Sequence, residues 1–141
     1  MAWTYSRRVK YYETDRMGVV HHSNYLRLLE DARMAWVEEN VIRYSDLEKM
    51  GVIIPFVESY GKFLSFLRFD DPFTVTVRLI RHSAVKFTFD YEIHNDETGA
   101  LCYKGTTTHY YASDGEYRPI SLKRKFPELY EKMESLLEAE E

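Results

Sequence analysis

The chain has 141 residues, room for one domain with an ordinary core and too few for two comfortable ones. Its formal charge of −4, from 19 basic and 23 acidic side chains, lacks the basic excess of a nucleic-acid binder, and no apolar run approaches the roughly 18 to 20 residues of a membrane span. The single cysteine, Cys102, permits no internal disulfide and the opening MAWTYSRRVKYY carries no apolar secretory stretch, which together point to the reducing cytoplasm.

The aromatic share is 16%, with 12 Tyr, 8 Phe and 2 Trp, and favours sheet. In chain order, a first strand is expected at about residues 4 to 12, followed by the polar turn ETDRMGVVHH. A helix then begins at about His22 to Asn24. At 100° per residue Tyr25, Leu28, Leu29, Ala32, Ala35 and Trp36 share a stripe of roughly 120°, while Arg27, Glu30, Arg33 and Glu38 lie outside it. A short helix in YSDLEKMG starts near Ser45 or Asp46 and stops at Gly51, and a weaker strand follows at about residues 53 to 68.

The clearest signal is strict alternation. Phe73, Val75, Val77 and Leu79 alternate with polar residues in FTVTVRLI, as do Phe87, Phe89, Tyr91 and Ile93 in KFTFDYEIH, so each reads as a strand with one buried face. The turn residues NDETG lead into LCYKGTTTHYYAS, making residues 72 to 113 an antiparallel meander. A last helix, PELYEKMESLLEAE, offers Leu129, Met133, Leu136 and Leu137 as its apolar edge. The sum is one α+β domain over residues 1 to 141, an antiparallel sheet covered by a long helix.

The stretch YYETDRMGVVHHSNYLRLLEDA combines a carboxylate, Asp15, a flexible point, Gly18, and a helix start. Unpaired backbone N–H groups and partial positive charge at a helix start suit an oxygen that becomes negative during reaction. A carboxylate beside them can act as base or nucleophile on a carbonyl held there, and a thiol leaving group departs without a strong acid. The plainer uses of these residues are an Asx turn at Asp15, an N-cap at Ser23, an i,i+3 ion pair from Glu30 to Arg33 and a buried small hydrophobe at Cys102. His21 and His22, as neighbours on an entering segment, are expected to point apart, and with no third ligand at diagnostic spacing no metal site is expected. His21 reads as incidental, and the aromatic runs YY and HYYAS as packing for the sheet or a dimer seam.

Asp15, Gly18, Val19, Val20, His21, His22, Ser23, Asn24 and Tyr25, in that order and followed by a helix, closely resemble the signature of the 4-hydroxybenzoyl-CoA thioesterase family of hotdog-fold proteins, especially its YbgC-like branch. The resemblance implies a five-stranded antiparallel sheet wrapped around a long central helix, with a C-terminal helix after it. It implies hydrolysis of acyl-CoA to CoA and a carboxylic acid, with Asp15 as the catalytic carboxylate and His22 as its helper. Gly18, Val19, Ser23, Asn24 and Tyr25 then become candidates for substrate contact. It also implies a homodimer, and a tetramer of two dimers, with acyl-CoA bound at the subunit interface and no cofactor beyond CoA itself as part of substrate and product. Arg81, His82 and Lys86 are candidates for the CoA phosphates from their charge and position. Two other readings compete: a hotdog dehydratase or hydratase using His22 and an acid, and a non-catalytic acyl-CoA binding protein.

Overall fold

A computed structural model describes residues 2–138. A first strand β1 (Trp3–Arg8) leads through two 3₁₀ turns, Tyr11–Glu13 and His22–Asn24, into α1 (Tyr25–Asn40) and α2 (Tyr44–Lys49). Then come β2 (Val52–Ile53), β3 (Phe56–Phe63), β4 (Pro72–His82), β5 (Lys86–Asn95), β6 (Leu101–Tyr110), β7 (Ala112–Ser113), α3 (Leu122–Lys125) and α4 (Pro127–Glu134). The main sheet has five strands in the order β1-β4-β5-β6-β3, all neighbours antiparallel, while β2 and β7 form a separate pair. This is the expected α+β architecture. No helix of the described residues is long and apolar enough to cross a membrane.

The alternating strands bury the expected faces. Phe73, Val75, Val77 and Leu79 of β4 and Phe87, Phe89, Tyr91 and Ile93 of β5 are all buried. Across them pack Tyr25, Leu28, Leu29, Ala32, Trp36 and Val37 of α1, in one continuous core, with Trp36 edge-on to Phe89 at 4.9 Å between ring centroids. Burying a large apolar side chain stabilises by about 1.5–3 kcal/mol, so this face holds the helix on the sheet.

Several boundaries differ from the sequence expectation for physical reasons. The first strand stops at Arg8, because the chain tightens into the Tyr11–Glu13 turn. The expected strand over 53 to 68 is cut by Pro55, and past Phe63 the chain leaves the sheet, with Leu64 N–H donating to the Cys102 carbonyl. The short helix α2 begins at Tyr44, with the expected Ser45 and Asp46 in its first turn and Arg43 at the N-cap position, and ends before Gly51. The last helix stops at Glu134, after which Glu138 N–H donates to the Leu79 carbonyl and Leu137 is 40% exposed. Residues 139 and 140 of that expected helix lie outside the described residues. Of the aromatic runs, Tyr111 and His109 are buried, whereas Tyr11 and Tyr12 stand out from the surface.

Arg33 departs furthest from its expected place. It lies outside the apolar stripe on a helical wheel, yet it is buried, because its long side chain reaches the Tyr91 hydroxyl on β5 at 3.3 Å. The expected pair with Glu30 is present but long, at 3.9 Å. Tyr91 Oη and Thr107 Oγ1 hydrogen-bond at 2.7 Å, and His109 Nε2 lies 3.0 Å from the same Thr107 oxygen. Burial, then the charge of Arg33, lowers the His109 pKa from 6.5 to about 3.

The unfolded chain therefore takes up a proton at His109 below about pH 6.5 that the folded chain refuses until about pH 3, so this group's contribution is intact above 6.5 and drains away towards 3. Thermal melts from pH 7 to 4 should show a steeper loss of Tm in the wild type than in His109→Phe. Parallel Tm curves would contradict this assignment.

Candidate active site

The loop carrying Asp15 is fixed from Glu13. Arg7 of β1 grips the Glu13 carboxylate with two hydrogen bonds, 2.9 and 2.7 Å, and the Lys10 N–H donates to it at 2.7 Å. Burial pushes the Glu13 carboxyl up, but these donors outweigh it and hold it below the usual carboxylate range. The Glu13 backbone carbonyl in turn accepts from His21 N–H at 2.9 Å and from the buried Asn24 Nδ2 at 2.8 Å. One residue thus ties the strand, the loop and the helix start together.

Between these ties the chain turns back on itself. Asp15 N–H donates to the Val19 carbonyl and Gly18 N–H to the Asp15 carbonyl, both at 2.9 Å, with Gly18 at φ +81°, where a Cβ would be strained. Asp15 Oδ1 accepts from Met17 N–H at 2.8 Å, an Asx turn that fixes the carboxylate by one oxygen. Val20 N–H donates to the carbonyl of the buried Leu67, which pins the return arm.

The helix start is built differently from expectation. Ser23 caps neither element: Asn24 holds the N-cap position of α1, and His21 caps the 3₁₀ turn before it, with Nδ1 accepting Ser23 N–H at 3.2 Å and lying 2.8 Å from the Ser23 hydroxyl. His21 is therefore structural rather than incidental. Nor do the two histidines point apart, since their rings lie 4.2 Å from centroid to centroid. The turn His22–Asn24 runs directly into α1, and the His22 backbone N–H meets no acceptor among the described residues.

Asp15, His22, Val19 and Tyr25 line one pocket of about 260 Å³, together with Met17, Val20 and the segment Phe63 to Phe66. The other candidates stand aside from it: Gly18 makes the turn, Ser23 bonds His21, and Asn24 bonds the Glu13 carbonyl. Residues 63 to 66 escaped the sequence reading because nothing local ties the end of β3 to a loop some fifty positions earlier. Tyr25 packs edge-on to Phe63 at 4.9 Å and stacks on Tyr103 at 5.4 Å, so the pocket wall is aromatic. A larger hollow, about 550 Å³, lies between the α1–α2 junction and α4, away from every residue of the motif. Cys102 is buried, which pushes its thiol pKa up and away from a nucleophile's range.

The proposed phosphate cluster sits elsewhere. Lys86 is opposite Tyr110, seven residues along β6 from Tyr103, which places it roughly 23 Å from the Asp15 end of the sheet within one chain. Arg81, His82 and Lys86 do line one separate hollow of about 350 Å³, with Glu58, Thr88 and Thr108. The His82 side chain is 0% exposed, its Nδ1 2.7 Å from Glu134 Oε1 and its Nε2 2.7 Å from Tyr111 Oη, so both ring nitrogens are committed inside the fold.

The chain is similar to known proteins. Residues 9–133 match the profile of the family described as the thioesterase-like superfamily. The chain is 34% identical over 82% of its length to "Putative esterase" of Aquifex aeolicus, covering 89% of that protein. It is 32% identical over 85% of its length to "Putative acyl-CoA thioesterase YneP" of Bacillus subtilis, covering 86% of that protein. Among solved structures, a DHNA-CoA thioesterase from Staphylococcus aureus superposes with a TM-score of 0.88 at 29% identity, covering 94% of this chain and 88% of the other.

Glu13→Ala should lower unfolding free energy by about 3 kcal/mol, the scale for stripping one partner from a largely buried ion pair, as read by urea denaturation. A loss below about 1 kcal/mol, the scale of an exposed pair, would mean that the loop is held by other contacts.

Proposed function

That the chain belongs to the thioesterase-like superfamily and is a thioester hydrolase of hotdog fold is the premise from which we propose a substrate and a mechanism: acyl-CoA is hydrolysed at the Asp15 pocket. The observation that carries this reading is the meeting of Asp15 with His22, whose backbone N–H has no acceptor among the described residues, in one pocket that Tyr25, Phe63 and Phe66 help to wall. Relatives named for acyl-CoA and DHNA-CoA thioester hydrolysis support CoA as the thiol.

Asp15 is held by Oδ1 alone, and its other carboxylate oxygen faces no donor among the described residues. That oxygen removes a proton from water as the water oxygen bonds to the thioester carbonyl carbon; the carbonyl oxygen, now negative, is held by the His22 N–H and the positive end of the helix. When the tetrahedral centre collapses, the C–S bond breaks and the thiolate takes the proton from Asp15. Direct attack by the carboxylate, giving an anhydride that water then opens, uses the same atoms. The His22 side chain, exposed at the pocket edge, assists by position.

The enzyme works as a dimer in this proposal. A pocket of about 260 Å³ falls below the roughly 300–1,000 Å³ of a complete small-molecule site, which fits a missing wall. All of β3 is exposed, with Phe56, Val57, Tyr60 and Phe63 each 46% or more accessible, and it is an edge strand paired only to β6. An edge so long and apolar calls for a partner. A second copy pairing β3 with β3 supplies that wall, and two such dimers make the tetramer.

Asp15→Asn retains an oxygen for the Met17 N–H and removes the charge. It should keep the wild-type melting curve and lose at least about 10²-fold in kcat for thiol release from acyl-CoA. Turnover within a few-fold of wild type would refute the role of Asp15, while hydration of an enoyl thioester without thiol release would favour the dehydratase reading. Sedimentation equilibrium should give a particle of at least two chains; a fully active monomer would refute the shared site.

A further inference from the structure

The His22 N–H belongs to the peptide between His21 and His22. A trans peptide is planar, so its N–H and its carbonyl point opposite ways, and whatever grips the carbonyl aims the N–H. Here the His21 carbonyl accepts the Asn24 N–H at 2.9 Å. The other amides of the turn are committed: Ser23 N–H goes to His21 Nδ1 and Tyr25 N–H to the His22 carbonyl. The direction of the free amide therefore depends on where Asn24 stands.

Asn24 is placed by its own side chain. It is buried, with Nδ2 donating to the Glu13 carbonyl at 2.8 Å and Oδ1 accepting from Arg27 Nη1 at 3.1 Å. A carbonyl only accepts and a guanidinium only donates, so the Asn24 amide has a single orientation and both of its ends are engaged. This is not the ordinary use of the position. Asn24 stands at the N-cap of α1, where asparagine is among the strongest caps, yet it makes no side-chain cap bond, and its backbone, at φ −79° and ψ −16°, is already helical. A cap contributing about 1 kcal/mol is forgone, and the side chain turns to the loop instead. Local rules give way in this manner where a site needs the residue for something else. The next residue, Tyr25, holds the helix start from the apolar side. Its ring packs against Phe63 and Tyr103, and the Tyr103 ring lies over Gly61 and Gly105 so closely that a Cβ at Gly61 would run into it. The helix start is thus tied to the sheet through Tyr25 and to the Glu13 turn through Asn24.

We propose that Asn24 is a positioning residue: without touching the substrate, it holds the His22 N–H at the place and angle that the thioester oxygen needs as it becomes negative. This rests on the thioesterase reading above. A hydrogen bond to a full oxyanion is shorter and stronger than one to a neutral carbonyl, so it suffers most when the donor shifts. Interactions made chiefly in the transition state appear in kcat, so the loss of Asn24 falls there and spares KM.

The test uses Asn24→Asp, which keeps the shape but has no donor for the Glu13 carbonyl, and Asn24→Ser, which is too short to reach it; both replacements are good N-caps. Thiol release is measured with the acyl-CoA that the wild type turns over fastest, beside the affinities of two inert analogues. One is an S-alkyl-CoA thioether, which has no carbonyl; the other is S-trifluoroacetonyl-CoA, whose ketone takes up hydroxide to form a tetrahedral oxyanion. In both variants kcat should fall about ten- to a hundredfold with KM within about threefold, and affinity for the ketone should fall in step while affinity for the thioether holds. A kcat within about threefold of wild type, in either variant with a Tm near that of wild type, would overturn the proposal. Equal losses of affinity for the two analogues would overturn it too, since they mark a collapsed pocket rather than a misplaced amide. A readout in the wild type needs no variant: binding of the ketone should move the ¹⁵N-labelled His22 amide resonance and binding of the thioether should not, and a His22 amide indifferent to the ketone would overturn the proposal. A wild type that releases no thiol from any acyl-CoA removes the thioesterase reading itself, whereas an active wild type with indifferent variants removes only the role of Asn24.

Discussion

The grip of Arg7 on Glu13 is the constraint on which the site depends. Asp15 lies two residues beyond Glu13, and the helix start begins at His21, whose N–H is held by the Glu13 carbonyl. The side chain of Glu13 faces β1 while its backbone faces α1, so a single residue sets both the height of the carboxylate and the position of the helix terminus. Acid and amide donors carried on separate elements would otherwise drift relative to each other. Burying this pair is tolerable because both partners are multiply hydrogen-bonded, which offsets the loss of water.

Much of the fold was legible because it is written in local periods. The alternation in FTVTVRLI and KFTFDYEIH specifies which faces are buried, and the spacing of Leu28, Leu29, Ala32 and Trp36 specifies the face of α1 that meets them. The loop was legible too, through the resemblance of its Asp, Gly and His spacing to a known family. What stayed hidden is what depends on partners far apart in sequence. Glu13 looks like any surface acid until Arg7 and Asn24 converge on it. Arg33 belongs to the polar side of a wheel, because a wheel knows the angle of a residue but not that Tyr91 will stand opposite. His82 passed for a phosphate ligand on charge and turn position; only the tertiary fold places Glu134 and Tyr111 on either side of its ring.

The same distinction separates the two ends of the sheet. At the Asp15 end polar groups are left partly unsatisfied among the described residues, with one carboxylate oxygen of Asp15 and the backbone amide of His22 unpaired, and both residues line the pocket. At the opposite end His82 is held by both nitrogens, with its ring 4.8 Å from that of Tyr130, which fastens α4 across the end of β4. Chemistry and anchorage thus occupy different rims of one sheet, and a change that loosens one need not reach the other.

The glycine pair beneath Tyr103 has a consequence for how this pocket can diverge. Where a cavity floor is a side chain standing on a Cβ, swapping residues at that position resizes it in small steps. Here the Tyr103 ring, packed behind Tyr25 and Phe63, lies on bare backbone: a Cβ at 61 would run into that ring and its hydroxyl, and one at 105 would run first into the Tyr60 carbonyl oxygen of β3. Substitution is therefore closed at those two positions, and the pocket's size is set by side chains that line it, such as Tyr25 and Phe63, rather than by the backbone behind Tyr103.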